Sequence, residues 1–163
     1  MAEIILDHHQ LKQRLDQLKI QNKKIVFTNG CFDLLHVGHV RYLQAAKALG
    51  DILVLALNSD DSVRRLKGTQ RPLLLLQDRI GILSAFRMVD FLTAFEENTV
   101  ENLLLKLQPD IHAKGTDYTV DNVPEHQIVK SFGGAIAIVG DPKNHATKNL
   151  IQEILEKYGS KSN

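Results

Sequence analysis

The chain has a single cysteine in 163 residues, so no disulfide can close within it and a reducing compartment is the simpler setting. It also lacks an excess of charge: 20 Lys and Arg against 19 Asp and Glu leave a net +1. That balance argues against a nucleic-acid coat or a membrane-binding surface, and any anion must be held by a local site. No apolar run approaches the ~18 residues of a membrane span. The first ten residues lack the basic and apolar regions of a signal peptide, so the expected location is the cytoplasm. Internal repeats, linkers and low-complexity segments are missing, apart from a short polar tail at 160–163. Neither G-x-G-x-x-G nor G-K-[ST] occurs, which disfavours a dinucleotide fingerprint and a P-loop.

Hydrophobic residues make up 44% and charged residues 24%, an ordinary globular composition. The length suits one domain over 1–163, with an N-terminal helix in 1–22, a core over 24–158 and a tail over 159–163. Leu11, Leu15 and Leu18 recur at helical spacing. Lys24–Asn29 reads as a strand stopped by Gly30, and Val37–Leu49 as a helix closed by Gly50. Ile52–Leu57 is an uninterrupted apolar run, as in a strand buried on both faces. A short helix to Leu66, a helix over 77–87, a strand over 89–94, a helix over 99–107 and a strand over 111–113 follow. A helix over 124–132, a strand over 135–139 and a last helix over 147–158 complete the pattern. Strands alternating with helices predict a Rossmann-like three-layer α/β domain with a parallel sheet of about five strands. In such sheets ligands bind beyond the carboxyl ends of the strands.

The most informative segment, Thr28-Asn29-Gly30-Cys31-Phe32-Asp33-Leu34-Leu35-His36-Val37-Gly38-His39, lies where the first long strand gives way to a helix. Gly30 allows the loop to curl with its amides inward. The helix beginning near Val37 adds free N–H groups and the positive end of its dipole. His36 and His39 can share one side of the first helical turn, and Gly38 leaves room for close approach. Together these groups form a site that neutralises phosphate charge, as phosphoryl-type transfer requires. A zinc pair is disfavoured because no further ligands stand at suitable spacing. His8, His9, His112 and His126 read as surface or satisfied core residues. Cys31 reads as a small half-buried residue, the alternative being a reactive thiol at a helix start.

H-x-G-H preceded by G-x-F-D-x-L resembles the cytidylyltransferase-like nucleotidyltransferases. The fuller string NGCFDLLHVGHVRYLQAAKALGD, with NSDDSVRRLKG, RPL, DR and KGTDY after it, looks like the D-glycero-β-D-manno-heptose 1-phosphate adenylyltransferase branch. The resemblance covers roughly 24–155. It implies an enzyme transferring AMP from ATP to a sugar 1-phosphate, with Mg²⁺ on the triphosphate, no protein-built metal site, and a homodimer as the working form. No nucleic acid or membrane partner is implied. His36 and His39 would hold the triphosphate, and amides at Gly30, Cys31 and Phe32 would contact its oxygens. Thr28, Asn29, Gly38, Asn58 and Asp60 would line the site, although Asp60 could equally be a helix cap. Asp33 would organise the loop or be an ordinary turn aspartate. Lys67 and Arg71 would meet phosphate, the alternative for each being an ordinary surface residue. Lys114, Gly115, Asp117 and Tyr118 would surround base and ribose.

Two positions depart from the branch. Thr116 replaces a glycine and would be strained if that position required positive φ. Near the last helix the usual Ser-Thr is reduced to Ala146-Thr147, where Thr147 could still serve as a cap and Lys148 could add charge. The run Leu73–Leu76 is either a buried segment or a dimer contact. Rival activities are a glycerol 3-phosphate cytidylyltransferase, an FAD synthetase type, or a weakly catalytic nucleotide-binding regulator. The R-T-x-G-I-S-T-type segment of the first is absent.

Overall fold

The structure is a computed structural model that describes residues 1–141 and 147–159. Its elements in chain order are β1 (Glu3–Ile4), α1 (His8–Ile20), β2 (Ile25–Gly30), α2 (Val37–Lys47) and β3 (Ile52–Asn58). There follow α3 (Asp60–Lys67), α4 (Leu76–Ser84), β4 (Phe91–Phe95), α5 (Glu101–Leu107) and β5 (Ile111–Gly115). A 3₁₀ turn at Val120–Asn122 precedes α6 (His126–Ser131), β6 (Ala135–Val139) and α7 (Thr147–Tyr158). All strand pairings are parallel, in the order β1-β4-β3-β2-β5-β6. The three-layer Rossmann-like fold is as predicted, but the sheet has six strands among the described residues.

The sixth is β1, which pairs Glu3 with Phe91 and Ile4 with Leu92 at the sheet edge. Residues 1–22 are therefore more than a helix, since their first part extends the sheet. Helix α1 starts where Asp7 accepts hydrogen bonds from the backbone N–H of His9 and Gln10 at 2.7 and 3.2 Å, a typical N-cap.

Strand alternation explains the two cores. Ile25, Phe27, Val54 and Ala56 join Leu11, Leu15, Leu103 and Leu104 on one face. Val26, Leu53, Leu55 and Leu57 join Leu43, Ala46 and Leu83 on the other. The apolar run of β3 thus supplies both layers through the period of two. The chain winds outward from β2 through β3 to β4, then crosses back to place β5 on the other side of β2. The carboxyl ends of β2 and β5 therefore flank the point where strand order reverses, the place where open α/β sheets form their ligand crevice. Among the described residues no helix is long and apolar enough to cross a membrane.

Candidate active site

The site is built on the turn from β2 into α2. His36 is the N-cap of α2, with extended backbone (φ −145°, ψ 170°). Its backbone N–H donates to His39 Nδ1 at 3.3 Å, and His39 N–H donates to His36 O at 2.9 Å. The two rings stack with centroids 3.9 Å apart and planes 27° apart. Because His39 Nδ1 accepts a hydrogen bond, the neutral ring carries its proton on Nε2. The first turn of α2 therefore combines two imidazoles with a helix N-terminus, an arrangement suited to phosphate.

Phe32 sets the shape of the loop, with φ of 45° in the left-handed region, a conformation costing a bulky residue about 1–3 kcal/mol. Its buried ring lies 5.1 Å from that of His39 and 6.5 Å from that of Tyr42. This explains Gly30 differently from the expectation of unusual loop angles. Gly30 ends β2 without positive φ. A Cβ there would stand 2.9 Å from the Phe32 ring, so the glycine makes room for the ring that supports His39.

Asp33 ties this loop to the segment before α4. It is 3% exposed, and its Oδ1 accepts from the N–H of Leu73 and Leu74 at 2.6 and 2.9 Å. Arg71 Nε approaches Asp33 Oδ2 at 2.5 Å as an ion pair outside hydrogen-bond alignment. Arg71 thus stands against the loop. Lys67 ends α3 as an exposed residue. Burial raises the Cys31 thiol pKa, and the opposing pull of Lys67, Arg79 and Arg71 does not offset it. Cys31 is accordingly a half-buried thiol rather than an activated one.

Several predicted lining residues are turned to internal duties. Thr28 is fully buried, and its hydroxyl pairs with that of Tyr42, which donates to Ala113 O at 3.0 Å. That contact ties α2 to β5 across the crevice and keeps the Thr28 side chain beneath the site. Asn58 Nδ2 donates to Ser62 Oγ at 2.9 Å, while its Oδ1 lies 3.9 Å from Cys31 Sγ. Ser59, not Asp60, caps α3. Asp60 Oδ1 accepts from Leu76 N and Arg79 Nη2 at 2.9 and 2.7 Å.

On the β5 side, Lys114 is buried and donates to Asn29 Oδ1 at 3.2 Å and Glu125 Oε1 at 3.3 Å. Its ammonium lies 5.3 Å from the Tyr118 ring centroid. Open space surrounds the Cα of Gly115, where an added Cβ would meet nothing within 4 Å. Asp117 is exposed beyond it. Thr116 is not strained: its φ is not positive, and its hydroxyl donates to Asp141 O at 2.9 Å. Thr147 Oγ1 donates to Leu34 O at 3.1 Å, joining α7 to the loop. Gly38 sits half-buried in the first turn of α2. Ala146 and the side chain of Lys148 lie outside the described residues.

In the sequence, Arg79 appears only within the DR string, with no role assigned, and Glu125 is not singled out. Arg79 is fully buried on α4, and its guanidinium donates to Leu74 O, Cys31 O, Asn58 O and Asp60 Oδ1 at 3.0, 2.7, 2.8 and 2.7 Å. The signal was a charged residue on the apolar stripe Leu76, Arg79, Leu83. Glu125 gave no such signal, because its partners come from β5. A cleft of about 730 Å³ opens elsewhere, between His8, Arg65 and Glu97, and includes none of the predicted site residues.

Comparison with known proteins bears on the fold and the family. A profile of the cytidylyltransferase-like family matches residues 27–159. The curated "Bifunctional protein HldE" of Geobacter sulfurreducens is 50% identical over 141 residues, covering 86% of this chain. The chain spans 29% of that relative's length. The solved lipopolysaccharide core biosynthesis protein from Thermoplasma volcanium GSS1 superposes with a TM-score of 0.61 at 30% identity, covering 72% of this chain and 94% of that one. Pantoate-beta-alanine ligase from Francisella tularensis, at 20% identity, shares the fold with a TM-score of 0.63, covering 96% of this chain and 77% of that one. The H-x-G-H turn at the β2–α2 junction and the profile match through the fold around it make this chain a member of the cytidylyltransferase-like family of nucleotidyltransferases.

Proposed function

We propose that the chain transfers AMP from Mg·ATP to D-glycero-β-D-manno-heptose 1-phosphate, releasing pyrophosphate. The observation that carries the reading is the stacked His36–His39 pair at the N-terminus of α2, beside the crevice between β2 and β5. The sugar rests on the resemblance of the whole string to the heptose 1-phosphate branch. Similarity to a lipopolysaccharide core biosynthesis protein supports it.

The acceptor's phosphate oxygen attacks the α-phosphorus of ATP. A new P–O bond forms as the bond from the α-phosphorus to the α–β bridging oxygen breaks, and pyrophosphate leaves in line. A phosphate monoester is already anionic near neutral pH, so no base must remove a proton. His36 and His39 bind the triphosphate and offset the charge that builds on it. Lys67 and Arg71 receive the acceptor's phosphate, while Lys114, Gly115, Asp117 and Tyr118 surround the nucleoside. Among the described residues no group of three or more His, Cys, Asp or Glu is placed to hold a metal. Mg²⁺ enters in this reading as part of the nucleotide substrate, keeping several waters.

Pyrophosphate release, measured with ATP or CTP against a panel of sugar 1-phosphates, tests the assignment. Release with ATP and the heptose phosphate is expected, and no release with any pair would overturn it. His36→Ala and His39→Ala should each slow turnover by roughly 10²–10³.

The working form in this reading is a homodimer in the cytoplasm. Leu73 and Leu75 are 53% and 57% exposed, while Leu74 and Leu76 turn partly inward. A Leu75→Glu variant should sediment as a monomer, and unchanged mass would count against this contact.

A further inference from the structure

On β5, His112 and Lys114 are two residues apart, so their side chains leave the same face of the sheet. That face lies opposite Ile111 and Ala113, which join the core beneath α2. Glu125, at the N-cap of α6, reaches both side chains. Its Oε1 accepts from Lys114 Nζ at 3.3 Å, and its Oε2 lies 3.7 Å from His112 Nε2. All three side chains are buried, at 0%, 7% and 5% exposure for His112, Lys114 and Glu125. The His112 ring packs against Phe27, with centroids 5.6 Å apart. It therefore forms a fixed wall on one side of the carboxylate.

The Lys114 ammonium also donates to Asn29 Oδ1 at 3.2 Å. The registered pair Phe27–His112 lies two residues before Asn29 and Lys114 on both strands. The Asn29–Lys114 contact therefore spans the carboxyl ends of β2 and β5, across the crevice where the strand order reverses. A lysine stem has four flexible carbons, so its placement there needs a second anchor besides Asn29. Glu125 supplies it.

We propose that Glu125 is a positioning residue for the nucleotide: its carboxylate, backed by His112, holds the Lys114 ammonium against Asn29 at the mouth of the β2–β5 crevice, so that Lys114 meets the nucleoside already oriented. This rests on the nucleotidyltransferase reading above. Without the carboxylate, Lys114 loses a buried partner and leaves the position from which it would contact the nucleoside.

The test is calorimetric titration of the full chain with Mg·ATP, which needs no acceptor. Wild type is compared with Glu125→Ala, Glu125→Gln, Lys114→Met and the Glu125→Ala/Lys114→Met double variant. Glu125→Ala should weaken binding about 10- to 100-fold at unchanged stoichiometry, since lost nucleoside binding raises Kd without changing the number of sites. Glu125→Gln keeps an acceptor oxygen and should fall between Glu125→Ala and wild type. In the Lys114→Met background, Glu125→Ala should add less than about twofold, because the two act as one unit. A merely structural role would instead reduce stoichiometry and would persist in that background.

Full affinity in Glu125→Ala, or an equal loss with Lys114 already removed, overturns the proposal. If Glu125→Ala folds poorly, Glu125→Gln decides: weaker binding at full stoichiometry supports the proposal, and wild-type affinity overturns it. Failure of wild type to bind Mg·ATP would instead bring down the nucleotidyltransferase reading itself.

Discussion

The guanidinium of Arg79 and the carboxylate of Asp60 meet at 2.7 Å with Arg79 wholly excluded from solvent. The same guanidinium serves carbonyls from the β2–α2 loop, the end of β3 and the segment before α4. The β2–α2 loop, residues 58–60 and the segment before α4 thus converge on one planar cation, whose fork of donors suits such sharing. Arg79→Met should cost about 3–5 kcal/mol, because it leaves a partly buried carboxylate and three carbonyls without their donor. Arg79→Lys keeps the charge but not the fork and should still cost about 2 kcal/mol. Denaturant unfolding measures both; a loss below about 1 kcal/mol in Arg79→Met would remove Arg79 as the organiser of this corner.

Asp33 does for the loop what Arg79 does for the corner. Its carboxylate accepts two backbone N–H groups and faces Arg71, so the β2–α2 loop is tied to residues 71–74. Asp33→Ala should destabilise by about 3 kcal/mol and lower turnover further by loosening Arg71. Asp33→Asn retains an oxygen for Leu73 and Leu74 but not the ion pair. It should keep most of the stability while raising KM for the acceptor. Equal stability in Asp33→Ala and wild type, by thermal melting, would show that the loops are held by other means.

What could be read from the sequence follows from how local each interaction is. The β3 run Ile52–Leu57 and the H-x-G-H turn announce themselves, because apolar continuity and a glycine-bounded strand-to-helix junction are short-range signals. Strand β1 did not, since two residues carry no period and its existence depends on pairing with β4. The junction itself was legible, yet the reason for Gly30 was not. It depends on where the Phe32 ring packs, which only the folded backbone decides. Asp60 and Thr28 were expected to line the site, and their side chains also tether elements to one another, which the sequence does not announce. The role of Glu125 stays hidden in the sequence because its partners on β5 are non-local.

Gly30→Ala tests the packing behind His39. The added Cβ would lie 2.9 Å from the Phe32 ring, which already rests against His39 and Tyr42. Relief requires the ring to move, at about 1–3 kcal/mol for an overpacked site. The movement carries His39 with it, so turnover should fall about tenfold or more even where the variant is folded. Normal turnover at reduced stability would show that His39 holds its place without Phe32.

Acid should destabilise the fold through the buried His112–Glu125 pair. Burial holds the His112 pKa below its ordinary 6.5, despite the raising influence of Glu125. As pH falls through that value, the unfolded chain binds a proton that the folded chain refuses, and stability drops. Burial works against the Glu125 charge, but His112 and Lys114 outweigh it and hold the carboxyl below its ordinary 4.5. Its contribution is therefore complete above 4.5 and is lost as pH falls further. Both groups act in the same direction, His112 first. Between pH 6.5 and 5 the His112 share can reach about 1.4 kcal/mol per pH unit, the limit for one proton. His112→Gln, measured by denaturant unfolding across this range, should flatten the profile by that share while leaving the decline below pH 4.5 in place. Glu125→Gln should do the reverse. An unchanged slope in His112→Gln would mean that the folded chain protonates His112 as readily as the unfolded one, and that the pocket beside Phe27 admits water.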